Sequence, residues 1–518
     1  MNKKIWTAVL AVCLCALLLL SACGSKEGTE TVSGDEAETK TLTLAASGES
    51  DVLASIYMGT DNMPTIKLVY DTLVKYENGE FVPGLAESWE FSDDGKTLTF
   101  QLRAGVKFHD GTACDAEAVK ANLEYKQNNP GFMSLKAITA IQSIEVVDET
   151  TLIIHYPAPY YAYLADFCWP DVMIIVSPTV FIEGDYMNFS GISGTGPYAF
   201  DHRESGQYTR FVRNEDYWGD APYYDEIIVK YIPESTSRIQ ALQNGEIDMI
   251  FGSALLSYDE YVQVTAMDGM AGQISESDTR VRDLVVNASR PLLTDLKVRQ
   301  AIAYTLDPQG YIDLVFGGEA TPANYTMLPP SVDGYISDCS EYSYNVEKAK
   351  ELLTEAGYPD GFSTTLWCSD TQVMRDSAVV IQEQLRQIGI TAEVKTLENG
   401  QFQSETGNGA QDMFIMSKTS IDPDSMLRSM YHTEALGPSG NSCFWTTPEV
   451  DAMIDEASTT TDTEHAMELY AEIQRTVAEA APLVPLAVEH LNAGMQSNVK
   501  GFGLYPGKSH YINGTYFE

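Results

Sequence analysis

The sequence predicts a mixed α/β protein of two lobes. Three observations carry that prediction. From Thr41 onward most of the 518 residues remain, more than one hydrophobic core holds, so the chain is expected to split. Segments alternating with period two and segments with helical spacing are interleaved, without a strict strand–helix–strand rhythm. There is no internal repeat, and no apolar run after residue 20 is long enough to span a bilayer.

The N-terminus comes first. Lys3 and Lys4 precede an apolar run from Ile5 to Leu20, 16 residues broken only by Thr7. A membrane-crossing helix needs about 20 residues, so the basic start and short run predict a secretory signal over 1–22. Leu20-Ser21-Ala22-Cys23 resembles the bacterial lipobox, in which cleavage precedes a cysteine whose thiol carries a diacylglycerol. Cys23 is therefore the expected lipidation site. Each buried acyl CH2 contributes roughly 0.8 kcal/mol, and firm anchoring takes more than one chain. Behind it, GSKEGTETVSGDEAETK has almost nothing to bury. Residues 23–40 are thus the lipidated cysteine and a flexible tether.

The body opens with a strand pattern at Thr41–Leu44. Trp89–Phe91 and Leu98–Leu102 flank Asp94-Gly95, a hairpin signal. Ile144–Val147 and Leu152–Ile154 form a second hairpin around Asp148-Glu149, and Ile227–Tyr231 is a further strand. Ser235 to Asn244 reads as a short helix stopped by Gly245. Thr294 caps a helix to about Thr305, and Asn345 caps one carrying Ala349, Leu352, Leu353 and Ala356. Ala378, Ile381, Leu385 and Ile388 sit at helical spacing, with Gly389 as the stop. Ile390–Val394 suits a strand, and a last helix runs from Thr463 to Ala481, ended by Pro482.

Composition excludes several functions. Lys and Arg total 32 against 74 Asp and Glu, a formal net charge of −42. A nucleic-acid surface needs a basic face, so that partner is excluded. Of eight cysteines, Cys13 and Cys15 leave with the signal and Cys23 takes lipid. Cys114, Cys168, Cys339, Cys368 and Cys443 are scattered without CxxC spacing, which argues against structural zinc. No two of the seven histidines lie within a few residues of each other, so HExxH is missing. Gly191-Ile-Ser-Gly194 is one residue short of a nucleophile elbow. Gly194-Thr-Gly196 precedes Pro197 and a Tyr198–Phe200 strand, so it reads as a structural turn rather than a phosphate loop. No metal or cofactor is expected, and nothing points to catalysis.

Many short segments together resemble one family. Leu68-Val-Tyr-Asp-Thr-Leu73, Pro83-Gly-Leu-Ala-Glu-Ser-Trp89, Asp94-Gly-Lys-Thr97 and Leu102-Arg-Ala-Gly-Val-Lys-Phe-His-Asp-Gly111 are similar to its early block. Gly194-Thr-Gly-Pro-Tyr198, Asn214-Glu-Asp-Tyr-Trp218, Leu242-Gln-Asn-Gly-Glu-Ile-Asp248 and Val298-Arg-Gln-Ala-Ile302 follow in order. So do Lys348-Ala-Lys-Glu-Leu-Leu353, Ala356-Gly-Tyr358 and Asp422-Pro423. The chain thus resembles, over nearly its whole mature length, the bacterial extracellular solute-binding proteins of the peptide and nickel class (family 5), which serve ABC importers.

The resemblance implies a two-lobed fold of the periplasmic-binding-protein type (type II, cluster C-like), with hinge strands and a central cleft. It assigns 41–280 plus 493–518 to lobe 1 and 281–492 to lobe 2. It implies a non-enzymatic, monomeric receptor that closes on a solute and is read by permease subunits. The solute is expected to be a di- or oligopeptide. A nickel chelate, an opine or an oligosaccharide are rivals within the class, and a secreted hydrolase or a signalling or adhesion lipoprotein lie outside it. The implied cleft residues are Tyr57, Met58, Met63, Trp169, Arg280, Trp367, Lys418, Thr419, Asn441 and Phe444. Arg280 or Lys418 would pair with a solute carboxylate, and the aromatics would cover apolar parts. The chain departs from the family at three points. Thr419 stands four residues before Pro423, where peptide-binding relatives carry an aspartate for the peptide amino group. Ser417 and Ile174 stand where nickel-type relatives carry a tryptophan and an arginine. Asp422 reads as a turn residue.

Overall fold

A computed structural model describes residues 39–49, 63–77, 80–129, 135–160, 162–169, 172–251, 256–275, 280–339, 342–419, 421–505, 509–512 and 514–518. The expectations for Cys23, Tyr57 and Met58 fall outside those residues. Among the described residues no helix is long and apolar enough to cross a membrane.

Two large sheets organise the fold. The first has seven strands, in the order Tyr198–Glu204, Tyr208–Arg213, Glu226–Tyr231, Thr41–Ala46, Met249–Phe251, Asn492–Gln496 and Met270–Ile274. The second has six: Thr321–Pro322, Leu483–Val488, Arg280–Val286, Met413–Thr419, Ser363–Ser369 and Thr391–Leu397. A four-stranded antiparallel sheet joins Ala86–Phe91, Thr97–Leu102, Thr151–His155 and Ser143–Val146. Both expected hairpins are found there, and the first turns at Gly95 with φ +64°, which glycine adopts without penalty.

The cores follow from the sheet faces. Leu42, Leu44, Phe100, Ile154, Phe167 and Tyr198 share one buried cluster that reaches Ala493 and Met495 near the C-terminus. The six-stranded sheet is covered on both faces. Leu284, Val286, Leu366, Cys368, Met413 and Ile415 meet the helices Leu296–Thr305, Val346–Glu355 and Gln372–Arg386. Val285, Trp367 and Phe414 meet Pro423–Tyr431, Pro448–Thr459 and Thr463–Ala480 on the other face. Successive residues point to opposite faces, so burial of both explains the continuous apolar run Leu284-Val285-Val286.

The expected helices end within two residues of the sequence boundaries, and one N-cap differs. Asn345 accepts from the Lys348 amide at 3.0 Å, as expected. At the Leu296–Thr305 helix the cap is Asp295 rather than Thr294. The Asp295 carboxylate accepts from the Lys297 amide at 2.8 Å, while the Thr294 hydroxyl donates back to the Pro291 carbonyl at 2.9 Å. The described cysteines Cys114, Cys168, Cys339, Cys368 and Cys443 are all buried and free.

Several short motifs of the sequence meet at one place and frame the first core. The Asp71 carboxylate accepts from the Thr195 hydroxyl at 3.0 Å and the Trp218 indole at 2.9 Å. The Arg103 guanidinium lies 4.6 Å from the Trp218 ring. A Cβ on Gly194 would sit 2.1 Å from the Val69 carbonyl oxygen, and one on Gly196 would sit 2.5 Å from that of Leu68. The Gly-Thr-Gly segment is therefore a close-packed structural turn.

Candidate functional site

The chain passes between the two large sheets twice, side by side. Strand 270–274 of the first sheet leads to strand 280–286 of the second, and strand 483–488 leads back to 492–496. Each sheet pairs its incoming and outgoing strands antiparallel. The Ser275 amide donates to the Leu491 carbonyl at 2.8 Å. The Leu491 amide donates to the Ser275 hydroxyl at 2.8 Å, and the Glu489 amide to the Arg280 carbonyl at 3.0 Å.

A charged cluster sits against this double crossing. Arg282 is 2% exposed, and its guanidinium donates to Glu489 Oε1 through Nε at 2.9 Å and a terminal nitrogen at 2.6 Å. The Ser417 hydroxyl adds a bond to the same oxygen at 2.9 Å, and Arg280 lies 3.7 Å from the other. Burial alone would raise the Glu489 carboxyl, but Arg282 and Arg280 outweigh it and hold it below the usual range. Arg282 also reaches the Met374 sulfur at 2.9 Å and lies over the Phe316 ring, which fixes this cluster on the sheet face that meets the Gln372–Arg386 helix.

The opposite face carries a different arrangement. The register sets Val281 opposite Lys418 and Asp283 opposite Met416, so Asp283 and Lys418 are diagonal neighbours on one face. Asp283 is fully buried, and neither of its oxygens has a hydrogen-bond partner among the described residues. Burial pushes its carboxyl well above the usual range, opposed by Arg282 and Lys418. Burial likewise lowers the Lys418 ammonium to about 8, opposed by Asp283. Lys418 is half-buried. Trp367 shares this face. Its ring lies 3.8 Å from the Lys395 ammonium, and its indole nitrogen has no partner among the described residues.

The first core meets the second half of the chain near Ser331 and Ile421. The Tyr76 hydroxyl donates to the Ser331 carbonyl at 3.2 Å, and Ile421 packs into the first core. Asp422 is not a simple turn residue: it is buried and caps the Pro423–Tyr431 helix, accepting from the Ser425 amide at 2.8 Å. Burial raises its carboxyl to about 7, with Ser425 opposing and Asp424 adding. Asp166, from the first core, accepts from the Ala137 amide at 2.9 Å. Its carboxyl is pushed well above the usual range by burial, against that bond, and by Asp422 and Asp424. Lys136 and Arg428 bring positive charge to the same junction.

The expected site residues are therefore distributed. Lys418 and Trp367 share one sheet face. Arg280 and Thr419 are cross-strand partners whose alternation sets them on the other. Trp169 is half-buried against the first core, its amide 3.4 Å from the Asp166 carbonyl. Met63 opens the Met63–Val69 helix, and its side chain lies outside the described residues. Asn441 and Phe444 are not brought to this group. The Ala288 amide donates to the Cys443 carbonyl at 2.8 Å, past the far end of strand 280–286, about 20 Å from Arg280 at roughly 3.3 Å per residue. The Asn441 side chain holds its own loop, donating to the Trp445 carbonyl at 2.8 Å, and the Phe444 ring lies against Gly409. Asp283, Arg282, Glu489 and Asp166 were missed from sequence. The signal for two of them was Arg282-Asp283 inside an otherwise apolar strand.

Comparison with known proteins completes the description. The family model for bacterial extracellular solute-binding proteins, family 5 Middle, matches residues 80–437. The glutathione-binding protein GsiB of Salmonella typhi is 31% identical over 438 residues, covering 82% of this chain and 83% of that protein. The structure of DppA from Helicobacter pylori in complex with the peptide STSA is similar, with a TM-score of 0.78, 28% identity, and 92% and 98% of the two chains covered. NikA from Brucella suis in complex with Fe(III)-EDTA gives a TM-score of 0.84 and 28% identity, covering 92% and 100%.

Proposed function

The chain belongs to the bacterial extracellular solute-binding proteins of family 5, and from that premise we propose that its solute is a small peptide, delivered chemically unaltered. The established part is coarser. This is a two-lobed extracytoplasmic binding protein of the ABC-importer class, from a family that transports rather than transforms its solutes.

The observation that carries the peptide reading is the placement of two ionisable groups of opposite kind, the buried Asp283 carboxyl and the half-buried Lys418 amine, on one sheet face beside the double crossing. A peptide carries ammonium and carboxylate groups that match such a pair. The glutathione-binding relative and the peptide complex of DppA support the same class. The lobes proposed are 41–280 with 493–518, and 281–492. A solute held by both stabilises the closed arrangement, which the permease reads. A lipid on Cys23 would keep a monomeric receptor close to its permease and raise their effective concentration.

The test is incubation of the purified protein with a peptide pool and nickel-EDTA, followed by mass spectrometry of what remains bound. An intact di- or oligopeptide is the expected result. A bound chelate would refute the peptide assignment, and a cleaved peptide would refute the receptor reading.

A further inference from the structure

We infer that closure of the two lobes takes up a proton, because it brings the carboxyls of Asp166 and Asp422 from opposite halves of the chain to one buried seam. This rests on the reading of a receptor that closes, and it holds whichever solute is captured. Retention of the solute then depends on pH.

The seam lies where the first core meets the second half of the chain. Tyr76 donates to the Ser331 carbonyl at 3.2 Å, Ile421 joins the first core, and a Cβ on Gly95 would sit 3.4 Å from the Thr461 methyl. Three carboxyls are buried there. Asp166 comes from the first half, Asp422 and Asp424 from the second, at 1%, 3% and 0% exposure. Asp422 and Asp424 both disfavour the charge on Asp166, and Asp424 disfavours that on Asp422. The cations present are committed elsewhere. Arg428 donates to Asp424 at 3.3 Å and to Asp455 at 2.9 Å, and the Tyr470 hydroxyl adds a bond to Asp424 at 3.2 Å. Lys136 lies 5.0 Å from the Tyr160 ring. Burial and Arg428 lower its ammonium, against Asp424, Asp455 and Glu434. Asp166 accepts from the Ala137 amide, and Asp422 from the Ser425 amide and hydroxyl, none of which carries charge. Burial raises Tyr76, Tyr160 and Cys168, the last with Asp166 and Asp422 adding, and Asp333 stands beyond Tyr76. These three stay neutral and offset nothing.

The joined seam therefore holds more carboxyl than cation, and a proton, which needs no room, removes the excess. Separation of the lobes admits water to the seam and returns a carboxyl toward its ordinary value of about 3.9. Joined, burial lifts Asp422 to about 7 and Asp166 well above the usual range. A carboxyl whose value is higher in the closed arrangement favours closure in acid, and that contribution is lost as pH rises through the closed value. For Asp422 alone, a rise from about 3.9 to about 7 makes the closed-to-open ratio about 20-fold larger at pH 5.5 than at pH 7.5.

The experiment is small-angle scattering of the whole soluble chain, titrated with an equimolar mixture of dipeptides. For the wild type the concentration giving half-maximal compaction should fall at least about 20-fold between pH 7.5 and pH 5.5. Asp422→Asn, which keeps a capping side chain, and Asp166→Asn should each reduce that ratio at least about threefold. Glu90→Gln, exposed on strand 86–91, should leave it unchanged. A wild-type ratio under about threefold, or folded variants that keep the full ratio, would overturn the proton linkage while leaving the peptide reading intact. If one variant does not fold, the other decides. If the mixture compacts the chain at neither pH, the peptide reading fails and the solute-free chain decides. Its radius of gyration should still fall between pH 7.5 and pH 5.5, and an unchanged radius overturns the linkage.

Discussion

Replacing Glu489 by glutamine should destabilise the protein by about 3–5 kcal/mol, the cost of leaving one member of a buried ion pair without its partner. The magnitude follows from the local geometry. Arg282 is 2% exposed and gives Glu489 two guanidinium bonds, at 2.9 and 2.6 Å. Glutamine keeps the shape and removes the charge that balances Arg282 and Arg280. The assay is urea unfolding, reading the midpoint at an unchanged slope. Glu87→Gln, at the exposed 3.6 Å pair with Arg103, is the control and should barely move the midpoint. The pH dependence supplies a second check. The folded Glu489 carboxyl lies below its ordinary value, which is about 4.3 in an unfolded chain. Its stabilisation is therefore fully present above about pH 4.3 and is lost as pH falls through the folded value. The gap between wild type and variant should be constant from about pH 5 to 7 and close at lower pH. A loss under about 1 kcal/mol, or a gap that persists in acid, would refute the reasoning.

Three further outcomes are expected. Gly194→Ala, whose Cβ would meet the Val69 carbonyl oxygen at 2.1 Å, should lower the melting temperature sharply or prevent folding, whereas Gly48→Ala, with nothing within 4 Å, should be neutral; equal melting curves would contradict the close packing. The folded Asp422 carboxyl, at about 7, lies above its unfolded value of about 3.9, so its contribution is full below pH 3.9 and lost as pH rises to 7. Asp422→Asn, which retains a capping side chain, should flatten that part of the melting-temperature profile, and parallel profiles would argue against it. Cys23→Ala should move the protein from the membrane fraction to the soluble fraction without changing its melting temperature, and retention in the membrane would defeat the proposed anchor.

How much of this was legible in sequence depends on how local each signal is. The hairpin at Asp94-Gly95 and the helix capped by Asn345 were readable because turn chemistry and side-chain period lie within a dozen residues. The cap at Asp295 was misassigned to Thr294 because both are good capping residues and only the Pro291 carbonyl, reached by the Thr294 hydroxyl, decides between them. The opposition of Arg280 and Lys418 across a sheet could not be read. It needs the pairing of strands 280–286 and 413–419, more than a hundred residues apart in sequence. Asp283 was invisible for the same reason, since its isolation is created by Met416 opposite it rather than by anything adjacent in the chain. Asn441 and Phe444 came from resemblance alone. The contact of Ala288 with Cys443 draws their loop to the other end of the strand.

The double crossing also orders the birth of the protein. Strand 492–496 lies between 249–251 and 270–274 in the seven-stranded sheet, so that sheet stays incomplete until almost the whole polypeptide has emerged. The six-stranded sheet likewise waits for its inner strand 483–488. Until then the edges of 249–251 and 270–274 that flank the place of 492–496 stay unpaired and open to aggregation. The five strands from 198–204 to 249–251 pair without 492–496, so truncation before that strand should free strand 270–274 and uncover the edge of 249–251.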